Sequence, residues 1–199
     1  MAITGLNPLG TSFASGSFST DSSGYTHGIM EADPAARYAI TAGKIKQTDK
    51  NIYFGGMPIV ENVSEMRGNP LPYIQLATAS DTPIGFTVFN QANNLFILGA
   101  NQVPTTTGGG TINYVRFGSN ARVALTCDPA LRFSLNQPVS TLKVAWDFDK
   151  NQLVAAGSGT ALPVKVLSLS LQNSKTVQFN QDTQIISWNP NGSCALVLL

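Results

Sequence analysis

Residues 141–157 read TLKVAWDFDKNQLVAAG, and their period decides the fold class. Leu142, Val144, Trp146 and Phe148 alternate with Lys143, Ala145 and Asp147, the period of two that sends every second side chain to one face of a strand. Asp149, Lys150, Asn151 and Gln152 supply a polar reversal, and Leu153 to Ala156 returns. The stretch reads as a β-hairpin.

The same texture extends in both directions. Downstream, PVKVLSLSLQ, KTVQF, TQIISW and CALVLL are strand-like, and the last reaches Leu199, so this end is expected to be stitched into a sheet. Upstream from Arg37, short apolar runs (RYAIT, NIYF, MPIV, YIQLAT, IGFTVFN, NLFIL) are separated by Gly, Pro, Asn or Asp. A hairpin is expected over 41–54 with its polar tip at Gln47 to Asn51, and another over 84–98 turning at Gln91 to Asn94. Thr105 to Thr111 reads as a mobile loop, and Arg122 to Cys127 as an alternating strand. About twelve short strands with turn punctuation indicate an all-β domain, a barrel or sandwich, with room for a small flanking subdomain. No internal repeat is present.

Composition agrees. The 199 residues include 12% charged side chains, about half the roughly 25% of ordinary soluble domains. Glutamate occurs at Glu31, Glu61 and Glu65 only, too few for the capping boxes and ion pairs of helical surfaces. Twelve cations against eleven anions give a net charge of +1, without the basic surplus that nucleic acid requires. No run of about 18 apolar residues suggests a membrane span, and the opening residues lack the pattern of a secretory signal. The chain is expected to fold in a cytoplasm, with no nucleic-acid or membrane partner. Cys127 and Cys194 are too few for a disulfide scaffold and read as reduced thiols, at least one of them buried in a strand, while whether they meet stays open. The single histidine, His27, has no second imidazole with which to share a metal.

Residues 1–33 differ from the rest. Isolated apolar residues, among them Leu6, Phe13 and Phe18, are scattered through Gly, Ser and Thr, with Tyr25 near the end. Such a segment cannot bury enough apolar surface alone to offset its ordering entropy. It reads as an extended arm on the globular domain 34–199, reaching on the order of 100 Å when fully extended. It either docks on a partner or frays.

Candidate chemistry is sparse. Asp147 and Asp149 are spaced to share a strand face, as paired acid–base carboxylates or a calcium site would need, but aspartates flanking a hairpin commonly form the turn. Glu61 and Glu65 suit a loop salt-linked to Arg67. Gly108 to Gly110 lead into a strand-like run rather than a helix, so a phosphate cradle is not indicated. Arg116, Arg122 and Arg132, interleaved with Tyr114, Phe117 and Phe133, could form a stacking surface, although aromatics at this period more often pack a core. Neither a catalytic constellation nor a metal or cofactor site emerges.

The arm, then AITAGKIKQTDKNIYFGGMPIV (39–60), IQLATASDTPIGFTVFNQ (74–91) and the long stretch GSNARVALTCDPALRFSLNQPVSTLKVAWDFDKNQLVAAG (118–157), resembles tailed-bacteriophage head decoration proteins of the structural cement type. The family's module matches at Gly118, Val123, Leu125, Val139, Trp146, Asp149 and Leu153. The arm and the strands after Pro163 exceed the minimal family domain. The resemblance implies a non-enzymatic virion protein on the outer surface of the major capsid protein shell, a homo-oligomer (dimer or trimer) clamping neighbouring capsomers. Leu6, Phe13, Phe18 and Tyr25 are then the expected partner-binding anchors. Two other readings compete: a tail- or fibre-associated receptor-binding module that recognises carbohydrate through exposed Tyr53, Tyr73 or Trp188, and a cell-wall hydrolase using Asp147 and Asp149.

Overall fold

Eleven strands run through the described residues: β1 (Met30–Glu31), β2 (Ile40–Ile45), β3 (Pro58–Asn62), β4 (Tyr73–Leu76), β5 (Gly85–Val88), β6 (Thr111–Arg116), β7 (Arg122–Thr126), β8 (Val144–Asp147), β9 (Gln152–Ala155), β10 (Lys165–Asn180) and β11 (Ile185–Leu198). The computed structural model describes residues 24–31, 38–62, 71–89, 103–133, 141–180 and 185–199. The fold is all-β. Five strands close a barrel in the order β2-β4-β3-β5-β6, β1-β7-β11-β10 form a four-stranded sheet, and β8-β9 are the hairpin expected over 141–157. In the barrel β2 pairs parallel with β4 and antiparallel with β6.

Two hydrophobic cores meet at β5 and β6. Ile112 and Tyr114 point into the barrel with Ile45, Tyr53, Ile59 and Ile74. Phe86, Val88 and Val115 point outward into a second core with Val123, Leu125, Val144, Trp146, Leu153 and Val197. Strands buried on both faces lose their alternation, and β6 is buried throughout from Ile112 to Val115. For the same reason β7, expected to alternate, has Val123, Ala124 and Leu125 all fully buried. Removing each Val, Leu or Phe side chain from water contributes roughly 1.5–3 kcal/mol. The Trp146 ring packs 5.2 Å from Phe86, and its buried Nε1–H has no hydrogen-bond partner among the described residues.

Several local expectations are corrected. Residues 41–54 do not form a hairpin: β2 leaves its turn at Gln47 and Thr48, and Tyr53 pairs with Thr106 instead. Burial of the Tyr53 ring in the barrel, with its hydroxyl donating to Asp49 Oδ2 at 2.5 Å, outweighs local hairpin geometry. The segment from Thr105 to Thr111 is fastened rather than mobile, with Tyr53 and Thr106 exchanging backbone hydrogen bonds of 2.8 Å in both directions. Four expected C-terminal strands merge into β10 and β11, because irregularities absorb the turn residues. Gln172 takes φ 64°, and the register shifts between Ser174 and Thr176, opposite Pro190 and Asn191. Leu199 is stitched in, its N–H donating to Ala121 O at 2.9 Å. The turn expected at Gln91 to Asn94 lies outside the described residues.

Residues 24–31 fasten β10 and β7, the two strands that flank β11 in the sheet. Thr26 bridges Lys175 of β10 in parallel, while Met30 and Glu31 pair with Val123 and Arg122 of β7. The segment therefore covers an edge of β10 and then an edge of β7. Phe89 N–H donates to Gly28 O at 2.8 Å, tying the same segment to the end of β5.

Candidate functional site

Where this segment crosses from β10 to β7, His27 is buried at 2% exposure. Its backbone N–H donates to Lys175 O at 2.8 Å, and its Nδ1 accepts from the Thr126 N–H at 2.9 Å. An amide can only donate, so Nδ1 carries a lone pair, and the Thr126 hydroxyl, 3.0 Å away, also donates to it. Burial pushes the imidazole pKa down to about 4. Gly56 adopts φ 91°, and a Cβ there would stand 2.3 Å from the ring, so the glycine is what admits the imidazole. Gly28 repeats the device at φ 76°, where a Cβ would stand 2.4 Å from the Gly55 carbonyl carbon.

His27 and Thr126 also line a cavity of about 670 Å³ between the sheet, the barrel and the β8–β9 turn. Ile52 and Phe54 supply its apolar lining from the barrel side, Val177 and Ile186 from the long hairpin. Lys50, Asn51, Asp149, Lys150 and Asn151 add the polar lining. A second cavity of about 400 Å³, lined by Met57, Leu76 and Phe148 among others, shares Asn51, Asp149 and Asn151 with the first. Together they make a trough along the barrel flank. Its groups can hydrogen-bond and pair charges.

Leu6, Phe13 and Phe18 lie outside the described residues. Tyr25 is half-buried on β10: its N–H donates to Ser174 Oγ at 3.0 Å, its carbonyl accepts from the Lys175 N–H at 2.8 Å, and its hydroxyl hydrogen-bonds Ser168 Oγ. Asp147 serves the turn, its Oδ1 accepting from the N–H groups of Asp149 and Lys150 at 3.0 Å each. Glu61 pairs with Arg116 at 2.6 Å, across the barrel wall, and also accepts from the Tyr114 hydroxyl. The loop partner expected for it, Arg67, lies outside the described residues. Tyr114 is fully buried and Phe117 packs edge-on to Phe86, so the interleaved arginines and aromatics do not form one stacking surface.

The three rings proposed for carbohydrate are separated in role. Tyr53 is fully buried, Tyr73 on β4 lies under the Lys46 ammonium, and Trp188 on β11 packs 5.4 Å from Phe89. Cys127 and Cys194 are free, buried thiols, each pushed up to about 12, chiefly by burial. Among the described residues no three His, Cys, Asp or Glu side chains gather as a metal site, and no helix is long and apolar enough to cross a membrane.

Sequence reasoning missed the trough and the burial of His27. Their lining comes from segments more than a hundred residues apart, and the one local signal was Gly55-Gly56 beside an aromatic. Comparison of the chain with protein-family models, with curated proteins and with solved structures finds no match in any of the three.

Proposed function

We propose that the chain is a bacteriophage head decoration protein that binds the outer surface of the major capsid protein shell and clamps neighbouring capsomers. It does so by surface complementarity and backbone pairing rather than by bond-making chemistry. The observation that carries the reading is the packing of the residues on which the family resemblance rests. Val123, Leu125, Trp146 and Leu153 belong to one hydrophobic core, Gly118 takes the left-handed φ of 81° in the turn before β7, and Asp149 lies in the β8–β9 turn. Val139 lies outside the described residues.

The attachment of residues 24–31 supports the clamp. Load applied through residues 1–23 passes to β10 and β7 at once, because the intervening segment is hydrogen-bonded to both. A nearly neutral, polar surface loses little charge solvation when laid on another protein. Weak contacts repeated over a lattice, and coupled within a dimer or trimer, gain strength through effective concentration.

The test removes residues 1–23 only, because Thr26, His27 and β1 belong to the sheet. Full-length protein added to heads assembled without it is expected to co-sediment with them. The shortened protein should melt at a similar temperature yet bind at least roughly tenfold more weakly. Equal binding by the shortened protein removes the arm from the interface, and failure of the full-length protein to bind rejects the function.

A further inference from the structure

Thr126 and Gln178 in the trough lining are hydrogen-bonded to His27 and Ser187, whereas the polar side chains toward its mouth are not engaged by other described residues. Among the described residues the side chains of Lys50, Asn51, Asp149, Lys150 and Asn151 make no hydrogen bond or ion pair. Two cations and one anion give the lining a local positive excess, in a chain whose charges otherwise nearly cancel. Between these groups the surface is aliphatic at Ile52, Val177 and Ile186, and Ile52 is 41% exposed.

An extended polypeptide fits that pattern. Its backbone offers alternating N–H and C=O groups, which carboxamides such as Asn51 and Asn151 match because each both donates and accepts. Every second side chain can seat on aliphatic surface, and a carboxylate can pair with Lys50 or Lys150. A sugar is a poorer match, since sugars stack on open aromatic faces and Phe54 is engaged with the His27 ring, 6.2 Å between centroids.

We propose that the trough seats an extended segment of a partner protein in which apolar and acidic residues alternate. Resting on the function proposed above, that partner is the shell subunit. The binding element is then a second contact, separate from residues 1–23.

Short fluorescein-labelled peptides, in which valine and leucine alternate with aspartate, lysine or serine, test the assignment on the full-length protein by anisotropy and amide NMR shifts. The aspartate peptide is expected to bind tightest and to shift Asn51, Asn151 and Gln178. Lys50→Glu with Lys150→Glu, both at the surface, should weaken it roughly tenfold and turn the preference toward the lysine peptide. Absence of shifts at the trough, or shifts there with a chito-oligosaccharide but no peptide, overturns the proposal. Peptide binding lost in the double variant while head binding is undiminished overturns the shell subunit as occupant. Peptide binding at the trough by a protein that ignores heads overturns the proposed function and upholds the trough as a peptide site.

Discussion

His27 is held from three sides, by the Thr126 amide at Nδ1, by the Lys175 carbonyl at its own N–H, and by the bare Cα of Gly56 against the ring. Protonation would place a second donor in front of the Thr126 N–H, on a ring buried away from most solvent. The folded-state pKa of about 4 lies below the unfolded 6.5, so the unfolded chain binds more protons between those values. The stabilisation from neutral His27 is complete above pH 6.5 and is lost as pH falls to 4, a loss of about 3 kcal/mol at about 1.4 kcal/mol per pH unit. Urea unfolding at pH 7, 5.5 and 4.5 should show this slope in the native chain and a flatter one in His27→Gln. Equal slopes would remove the buried imidazole as its source. The sequence displays the histidine but not its burial, since Thr126 is 99 positions away and only the folded chain brings the two together.

Elements closed by neighbours in sequence were legible, and those closed by distant partners were not. The β8–β9 hairpin pairs Val144 with Ala155 and Asp147 with Gln152, and its alternation and turn residues all lie within 141–157. The barrel closes through β2 against β4 and β6, pairings that no local pattern encodes, and the expected hairpin at 41–54 yielded to the burial of Tyr53. In the β8–β9 turn, Asp147 Oδ1 accepts two backbone N–H groups, a role that an asparagine amide oxygen can also fill. Asp147→Ala should therefore cost about 1 kcal/mol and Asp147→Asn a few tenths. Thermal melts of the two variants check the order, and an equal loss in both would show that the charge, rather than the acceptor, holds the turn.

At the scale of the whole molecule, two cores share β5 and β6, and residues 24–31 join β10 and β7 to the end of β5. Fold class was readable because charge scarcity and period-two runs pervade the chain. The candidate site was not readable. Tyr25, expected as a partner-binding anchor, is fastened to β10 of its own chain, and the trough is assembled from Lys50 to Phe54, Asp149 to Asn151 and the long hairpin, segments with no common sequence signal. The proposed clamp requires residues 24–31 to pass load to the double core, and their hydrogen bonds to β10, β7 and the end of β5 supply that connection. A cryo-EM comparison of heads assembled with and without this chain tests that role most directly. Added density is expected on the outer surface, at the junctions between capsomers, large enough for the barrel and its attached sheet. No difference on the exterior, or density confined to the interior or the tail, would contradict it.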